Sequence, residues 1–246
     1  MDGTVRAWVD GWVVSRGAAP PVPEPWGVTI DVGQAGHVTR HVLGAVNDDV
    51  DEATVRKVAG AVTGSGVWLK VFRHPAVVSR WLGPDWWIDP EPGYLMTLPL
   101  PPAAAPPPPP PGYRPRTWTR GGVTRVLVAA EDGSLAARGQ VATTGATAVV
   151  DQIETTPAHR RRGLAHFVMR TLQTTAAGQG AERCVLGGTP AGRALYESLG
   201  WTVTAPLTSA KFTGAPEGRL PDAAASARSP RRSPGRSGDP SWSAGR

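Results

Sequence analysis

Cysteine is almost absent: Cys184 is the only one in 246 residues, which excludes an internal disulfide framework. Long apolar runs are absent too. None approaches the roughly 18 residues that a bilayer span needs, and the opening MDGTVRAWVDGWVV places Asp2 and Asp10 where a secretory leader would be basic and then apolar. The expectation is a soluble, cytoplasmic protein. Metal ligands are sparse: His37, His41 and His74 are scattered, with no second ligand type at close spacing. They read as surface residues, and no metal is expected. The formal charge of +6 invites an acidic partner, but half of that surplus lies in residues 214–246, a Ser, Pro, Gly, Ala and Arg segment that cannot build a core. This tail reads as disordered and basic, with a nucleic-acid-binding arm as the alternative.

What the sequence has in abundance is proline. PLPPAAAPPPPPPGYRP, residues 99–115, fixes φ and removes backbone donors, so residues 99–112 read as a stiff polyproline II linker between two folded pieces. The preceding region, residues 1–98, mixes strand-like runs (WGVTIDV, HVTRHVL, VWLKVF, YLMTL) with a helix EATVRKVAGAV capped by Asp51 and a short helix AVVSRWL. It is α/β and carries no catalytic motif. Trp8 and Trp12 stand at helical spacing, which favours a core role.

After the linker the pattern sharpens into a segment of residues 113–213. TRVLVAAEDGSLAARGQVATTG is a hairpin around Asp132 and Gly133, a pair suited to a tight primed turn. TAVVDQIETT is a further strand stopped by Pro157. From Leu164 the apolar residues Phe167, Val168 and Leu172 fall at helical spacing. A strand RCVLGG, a helix AGRALYESLG closed by Gly200, and one or two strands in WTVTAPLTSAKF complete it.

The chemistry concentrates in HRRRGLA, His159 to Ala165. A strand, a short turn and a helix entered through a glycine leave unpaired amides at the helix's positive end, a geometry that binds phosphate. Gly163 lets backbone approach an anion, Ala165 leaves the first turn uncrowded, and the guanidiniums add bidentate donors. A nucleotide-like pyrophosphate fits better than a duplex, because Arg170 is the only basic residue in the rest of the helix.

RRRGLA resembles the Arg/Gln-x-x-Gly-x-Gly/Ala signature of the GNAT acetyltransferases, and GRALYESLGW resembles that family's Leu-Tyr-Glu-x-Leu-Gly-Phe ending. The resemblance covers about residues 113–213. It implies the GNAT acyl-CoA N-acyltransferase fold, an α/β mixed sheet flanked by helices, with acetyl-CoA as co-substrate and an amine as acceptor. It also implies that Ile153, Glu154 and Thr155 offer backbone groups to the pantetheine arm. Arg160, Arg161, Arg162, Gly163, Leu164 and Ala165 would cradle the pyrophosphate, and Tyr196 would protonate the departing thiolate. Asp151 and Glu154, the only carboxylates on the strand entering the loop, are candidates for the base. Their separation of three places them on opposite faces of a regular strand. Cys184, inside an apolar strand, reads as a core thiol.

Three departures from the family stand out. Only PRTWTRGG lies between GYR and VTRVLV, where the family has two helices lining the acceptor site. Thr189 replaces a frequent Asn, and Arg161 a frequent small residue. Residues 1–98, with seven of the ten tryptophans, are therefore expected to pack on the later half and supply the acceptor wall. They read as a degenerate copy of the same fold, since VWLKVF, AVVSRWL and YLMTL echo RCVLGG, AGRALYESLG and the last strands. An acyl-CoA sensor without turnover and a nucleic-acid-binding protein are the rival functions. Small amine, antibiotic, peptide N-terminus and lysine all remain open as acceptors.

Overall fold

The computed structural model describes residues 3–45, 50–101 and 105–214. The basic tail therefore lies, from residue 215 on, outside the described residues. One twelve-stranded mixed sheet runs through both halves. The first half contains helix α1 (Thr4–Arg16), strands β1 (Val22–Glu24), β2 (Gly27–Gln34) and β3 (His37–Leu43), helix α2 (Glu52–Gly60), strand β4 (Val67–Val71), helix α3 (Pro75–Val78), and strands β5 (Trp86–Ile88) and β6 (Gly93–Pro99). The second half contains β7 (Tyr113–Arg120), β8 (Val123–Ala130), β9 (Leu135–Thr144), β10 (Thr147–Thr155), α4 (Leu164–Gly178), β11 (Arg183–Gly188), α5 (Pro190–Ser198) and β12 (Thr202–Phe212).

The two halves repeat one topology and exchange their last strands. In each, a parallel pair is joined by a helix: β3 and β4 through α2, β10 and β11 through α4. Yet β6 pairs antiparallel with β11, and β12 pairs antiparallel with β4, while β6 and β12 pair with each other. The sheet thus crosses the proline-rich segment, and the first half does form a reduced copy of the second. Past β6 the chain must travel from the sheet centre to its far edge. Leu100, Pro101 and Pro107 run beside His166, Arg170 and Thr174 of α4.

PRTWTRGG, read as a connection, is instead strand. β7 extends through it to Arg120 and turns into β8 at Gly121 and Gly122, whose φ of 58° and 75° are those of a two-residue primed turn. The hairpin at Asp132–Gly133 has a longer loop than that turn type. Gly133, at φ 85°, donates its N–H to the Ala130 carbonyl at 3.0 Å, and Ala130 donates to Ser134 at 2.9 Å.

Of three hydrophobic cores, two lie on opposite faces of the sheet at β10. Alternation along β10 sends Ala148 and Val150 to one face and Val149 to the other. On the first face α4 packs with Leu164, Phe167, Val168 and Leu172. On the second, α1 lays Val5, Trp8, Val9 and Trp12 across strands of both halves, reaching Val149 and Val185 as well as Val28 and Val42. Each such large side chain contributes about 1.5–3 kcal/mol by burial. Gly11 is obligatory at this contact: a Cβ there would lie 2.4 Å from a Val149 methyl.

Candidate active site

β10 and β11 are joined only at Thr147–Arg183, Ala148–Cys184 and Val149–Val185. Beyond that, β10 stays with β9 and β11 with β6, so the two strands part and no ladder joins Ile153–Thr155 to β11. Cys184 is fully buried at the closed end, and burial pushes its thiol up to about 12, as befits a core cysteine.

The loop beyond the fork leaves the start of α4 open. Thr156 leads into a 3-10 turn at Pro157–His159; Arg161 and Gly163 then adopt left-handed φ of 59° and 75°. For Arg161 this conformation costs about 1–2 kcal/mol. Left-handed residues of this kind recur in the nests that gather backbone N–H groups around an anion. Gly163 is the N-cap of α4 and supplies no side-chain cap, so the first-turn amides around Leu164 and Ala165 keep their donors. A Cβ on Gly163 would meet nothing within 4 Å, so there is open space before the helix. Arg160, Arg161 and Arg162 are exposed around it. Arg162 donates to the Tyr113 hydroxyl at 3.2 Å, which lies 3.1 Å from His159 Nδ1. Thr155 Oγ1 is buried without a hydrogen-bond partner. Free amides, an open approach and an orphaned hydroxyl all fit a phosphorylated ligand laid along β10.

Tyr196, on α5, is 8% exposed and packs against Gly188 and Gly192, where added Cβ atoms would come within 3.1 and 2.8 Å of its ring. Burial, with a smaller contribution from the Asp151 charge, pushes its hydroxyl up to about 12. Thr189 caps α5 by accepting from Gly192 N at 3.2 Å, and its side of the fork lines a cavity of about 250 Å³ together with Val150, Asp151 and Gly187.

Strand geometry alters the reading of the two carboxylates. Asp151 pairs with Gln140 and Glu154 with Arg138, so three residues span two register steps. A bulge with Gln152 at φ 54° absorbs the extra one. Both carboxylates therefore share the α1 face, rather than opposite faces. Glu154 pairs with Arg138 at 2.8 Å in an exposed position and does not line the cavity. Asp151 does line it, but it accepts from Ser15 Oγ at 2.9 Å, Gln152 N at 2.9 Å and both Nε and Nη2 of Arg16. Gln140 completes the latch by donating to Ser15 Oγ and O at 2.7 Å. The C-terminus of α1 is thereby fixed onto β9 and β10.

The far wall of the cavity comes from the first half. Arg40 and Lys70, on β3 and β4, line it with Trp8 and Trp12 of α1, Ser209 of β12, and Asp89 and Glu91 of the β5–β6 turn. No spacing motif announces this set, since it is assembled by strand pairing. His74 is exposed, as expected, but His37 and His41 are half-buried and engaged: His37 accepts from Arg40 Nε at 3.2 Å and His41 lies 3.0 Å from the Thr29 hydroxyl. Burial and the neighbouring cations Arg40 and Lys70 lower His37 to about 3, so it is neutral. Among the described residues no group of His, Cys, Asp and Glu is placed to hold a metal ion, and no helix is long and apolar enough to cross a membrane.

Comparison with known proteins agrees with this architecture. No curated protein matches the sequence. Among solved structures, a GCN5-related N-acetyltransferase from Kribbella flavida superposes with a TM-score of 0.58 at 18% identity, covering 86% of this chain and 95% of its own. A GNAT-family protein from Novosphingobium aromaticivorans gives 0.54 at 18% identity, with 86% and 97% covered. A tandem GNAT protein from the clavulanic acid biosynthesis pathway gives 0.50 at 16%, with 88% and 97% covered. Residues 85–201 match the family model of the acetyltransferase (GNAT) family. The chain thus has the GNAT fold, and its residues 85–201 are similar to the acetyltransferase (GNAT) family.

Proposed function

We propose that the protein transfers an acetyl group from acetyl-CoA to an amine by direct attack, with no covalent enzyme intermediate. The observation that carries this reading is the uncapped, open helix start at Arg160–Ala165, read as an anion nest, beyond the point where β10 and β11 part. The pyrophosphate would rest on the nest and the pantetheine arm along Ile153–Thr155. The acyl end would lie at the fork, where Asp151 and Gly187 meet the cavity on the α1 side.

The acceptor nitrogen must lose a proton and attack the thioester carbon; the C–N bond forms, the C–S bond breaks, and the departing thiolate takes a proton. Tyr196 is assigned that last task. Its raised pKa keeps the hydroxyl protonated throughout the physiological range, so it acts as a held donor to the developing thiolate. Asp151 serves mainly to position α1, because four donors already occupy it. The acceptor's proton goes instead to Asp89 or Glu91, which line the cavity and have no ion pair among the described residues. The first half is thus the acceptor side.

Incubating the protein with acetyl-CoA and a mixed amine panel tests the proposal, with free thiol and product mass followed together. Amine-dependent release of CoA is expected. Tight binding without release would favour the sensor reading, and steeply salt-dependent DNA or RNA binding without acetyl-CoA binding the nucleic-acid reading.

A further inference from the structure

Two cations line the cavity on the α1 side, Arg40 buried and Lys70 half-buried, and neither has a carboxylate within salt-bridge distance among the described residues. Arg40 is 7% exposed, sits 3.8 Å from the centroid of Trp12, and spends its Nε on neutral His37. Lys70, on the neighbouring strand, donates to Ser209 Oγ at 2.5 Å. Burial pulls both below their ordinary values, and Arg40 further lowers Lys70. A guanidinium nevertheless stays charged at neutral pH. Holding that charge out of water is costly unless an anion meets it, and an anion there would also favour the ammonium form of Lys70. The nearest acids do not fill that role: Asp151 is engaged by Arg16, and Asp89, whose charge partly offsets the effect on Lys70, makes no ion pair.

The cavity's other groups narrow the anion. At about 250 Å³, it is smaller than the roughly 300–1,000 Å³ typical of drug-sized ligands, so it suits a compact molecule. Asp89 and Glu91 line the same space; they would repel a phosphate dianion but would attract an ammonium group. A ligand carrying both charges meets both walls.

We propose that this cavity is the acceptor subsite for a small amino carboxylate, whose carboxylate is held by Arg40 and Lys70 while its amine faces the Asp89–Glu91 turn and the strand fork. The proposal rests on the transferase reading, but binding tests it independently. Thermal melting of the full chain with free α- and ω-amino acids, each against its carboxamide, reads occupancy without turnover. One or more amino acids should raise Tm where the carboxamide does not, and Lys70→Gln should lose that shift while keeping its acetyl-CoA affinity. In turnover, kcat/KM for the best amino acid should exceed that of its carboxamide by about 10²-fold, the scale of an unpaired buried charge, and Lys70→Gln should shrink that ratio toward one. Should Lys70→Gln fail to fold, the wild-type comparison of acid and amide still decides. Equal Tm shifts from acids and amides, no shift from either, or preferential acetylation of neutral amines would overturn the subsite and leave the transferase standing. Carboxylate-selective melting without acetylation of any amine would overturn the transferase and leave the subsite standing. Stronger stabilisation by aminoalkyl phosphonates than by the matching carboxylates would overturn the assignment to a carboxylate.

Discussion

The two strand–helix–strand crossovers of the sheet share a topology and differ at the first turn of the helix. In the first half, α2 is capped by the Asp51 side chain, which accepts from Thr54 N at 2.7 Å, and Glu52 stands in its first turn. Asp48 and Asp49 precede it in sequence. In the second half, α4 begins at a left-handed glycine with no side-chain cap, behind three arginines. A helix N-terminus attracts anions, and at α2 the protein's own carboxylates supply them. At α4 that place is open. A repeated topology therefore does not by itself repeat an open helix start; that requires the capping carboxylate to be absent.

Filling the open helix start should have the largest effect. Gly163→Asp adds a carboxylate at a position of φ 75° where nothing stands within 4 Å. It should lower acetyl-CoA affinity by 10²-fold or more in a protein that remains folded. Calorimetric titration checks this, and unchanged affinity would remove the nest from the site. The converse change, Asp51→Gly, should create no second site, because the α2 loop lacks the arginines.

Tyr196→Phe comes next. Removing one hydroxyl from a residue already packed against Gly188 and Gly192 should leave acetyl-CoA affinity intact and lower turnover by roughly 10²-fold, the scale of a general acid. The first half offers no counterpart, since α3 is a single turn with no tyrosine. Steady-state kinetics alongside titration separate the two effects. Equal turnover would make Tyr196 a packing residue.

Asp151→Asn tests the seam between the halves. It weakens the hold on Arg16, whose side chain is 37% exposed, so the stability loss should be modest, about 1–2 kcal/mol after allowance for solvent screening. Loss of α1's register should show as a raised KM for the amine with acetyl-CoA affinity kept. A base would instead lose kcat and its pH dependence.

Local signals made much of this legible. The periodicity of α4, the Asp51 cap, the Gly200 stop and the RRRGLA loop each lie within a few residues of the feature they specify. What the sequence did not disclose depends on pairing between distant segments. The latch joins Ser15 and Arg16 to Asp151 across more than a hundred residues, and the exchange of β6 and β12 leaves no mark on either strand. Gln152 at φ 54° lacks the glycine that usually announces a positive φ. That residue reverses the face of Glu154. Arg40 sits in an alternating strand like an ordinary outward-facing charge, and the packing of α1 tryptophans against it leaves it buried.

The smallest effect expected is at the capped helix itself. Asp51→Ala removes the bond to Thr54 N, and the loss of a cap should lower Tm by roughly two to four degrees in a chain of this size. Acetyl-CoA affinity should not change, in contrast to the helix-start variant of the second half. The effect also carries a pH signature. The backbone amides of Thr54 and Ala53, with the Thr54 hydroxyl, hold the Asp51 carboxyl below its ordinary 3.8. A lowered folded-state pKa gives stability that is present above the unfolded value and lost as pH falls through the folded one. The gap in Tm between wild type and variant should therefore be constant from neutral pH down to about pH 5, narrow below about pH 4, and close as the carboxyl protonates. A gap that persists in strong acid would mean that Asp51 stabilises α2 through packing, and the contrast between the two helix starts would no longer rest on charge.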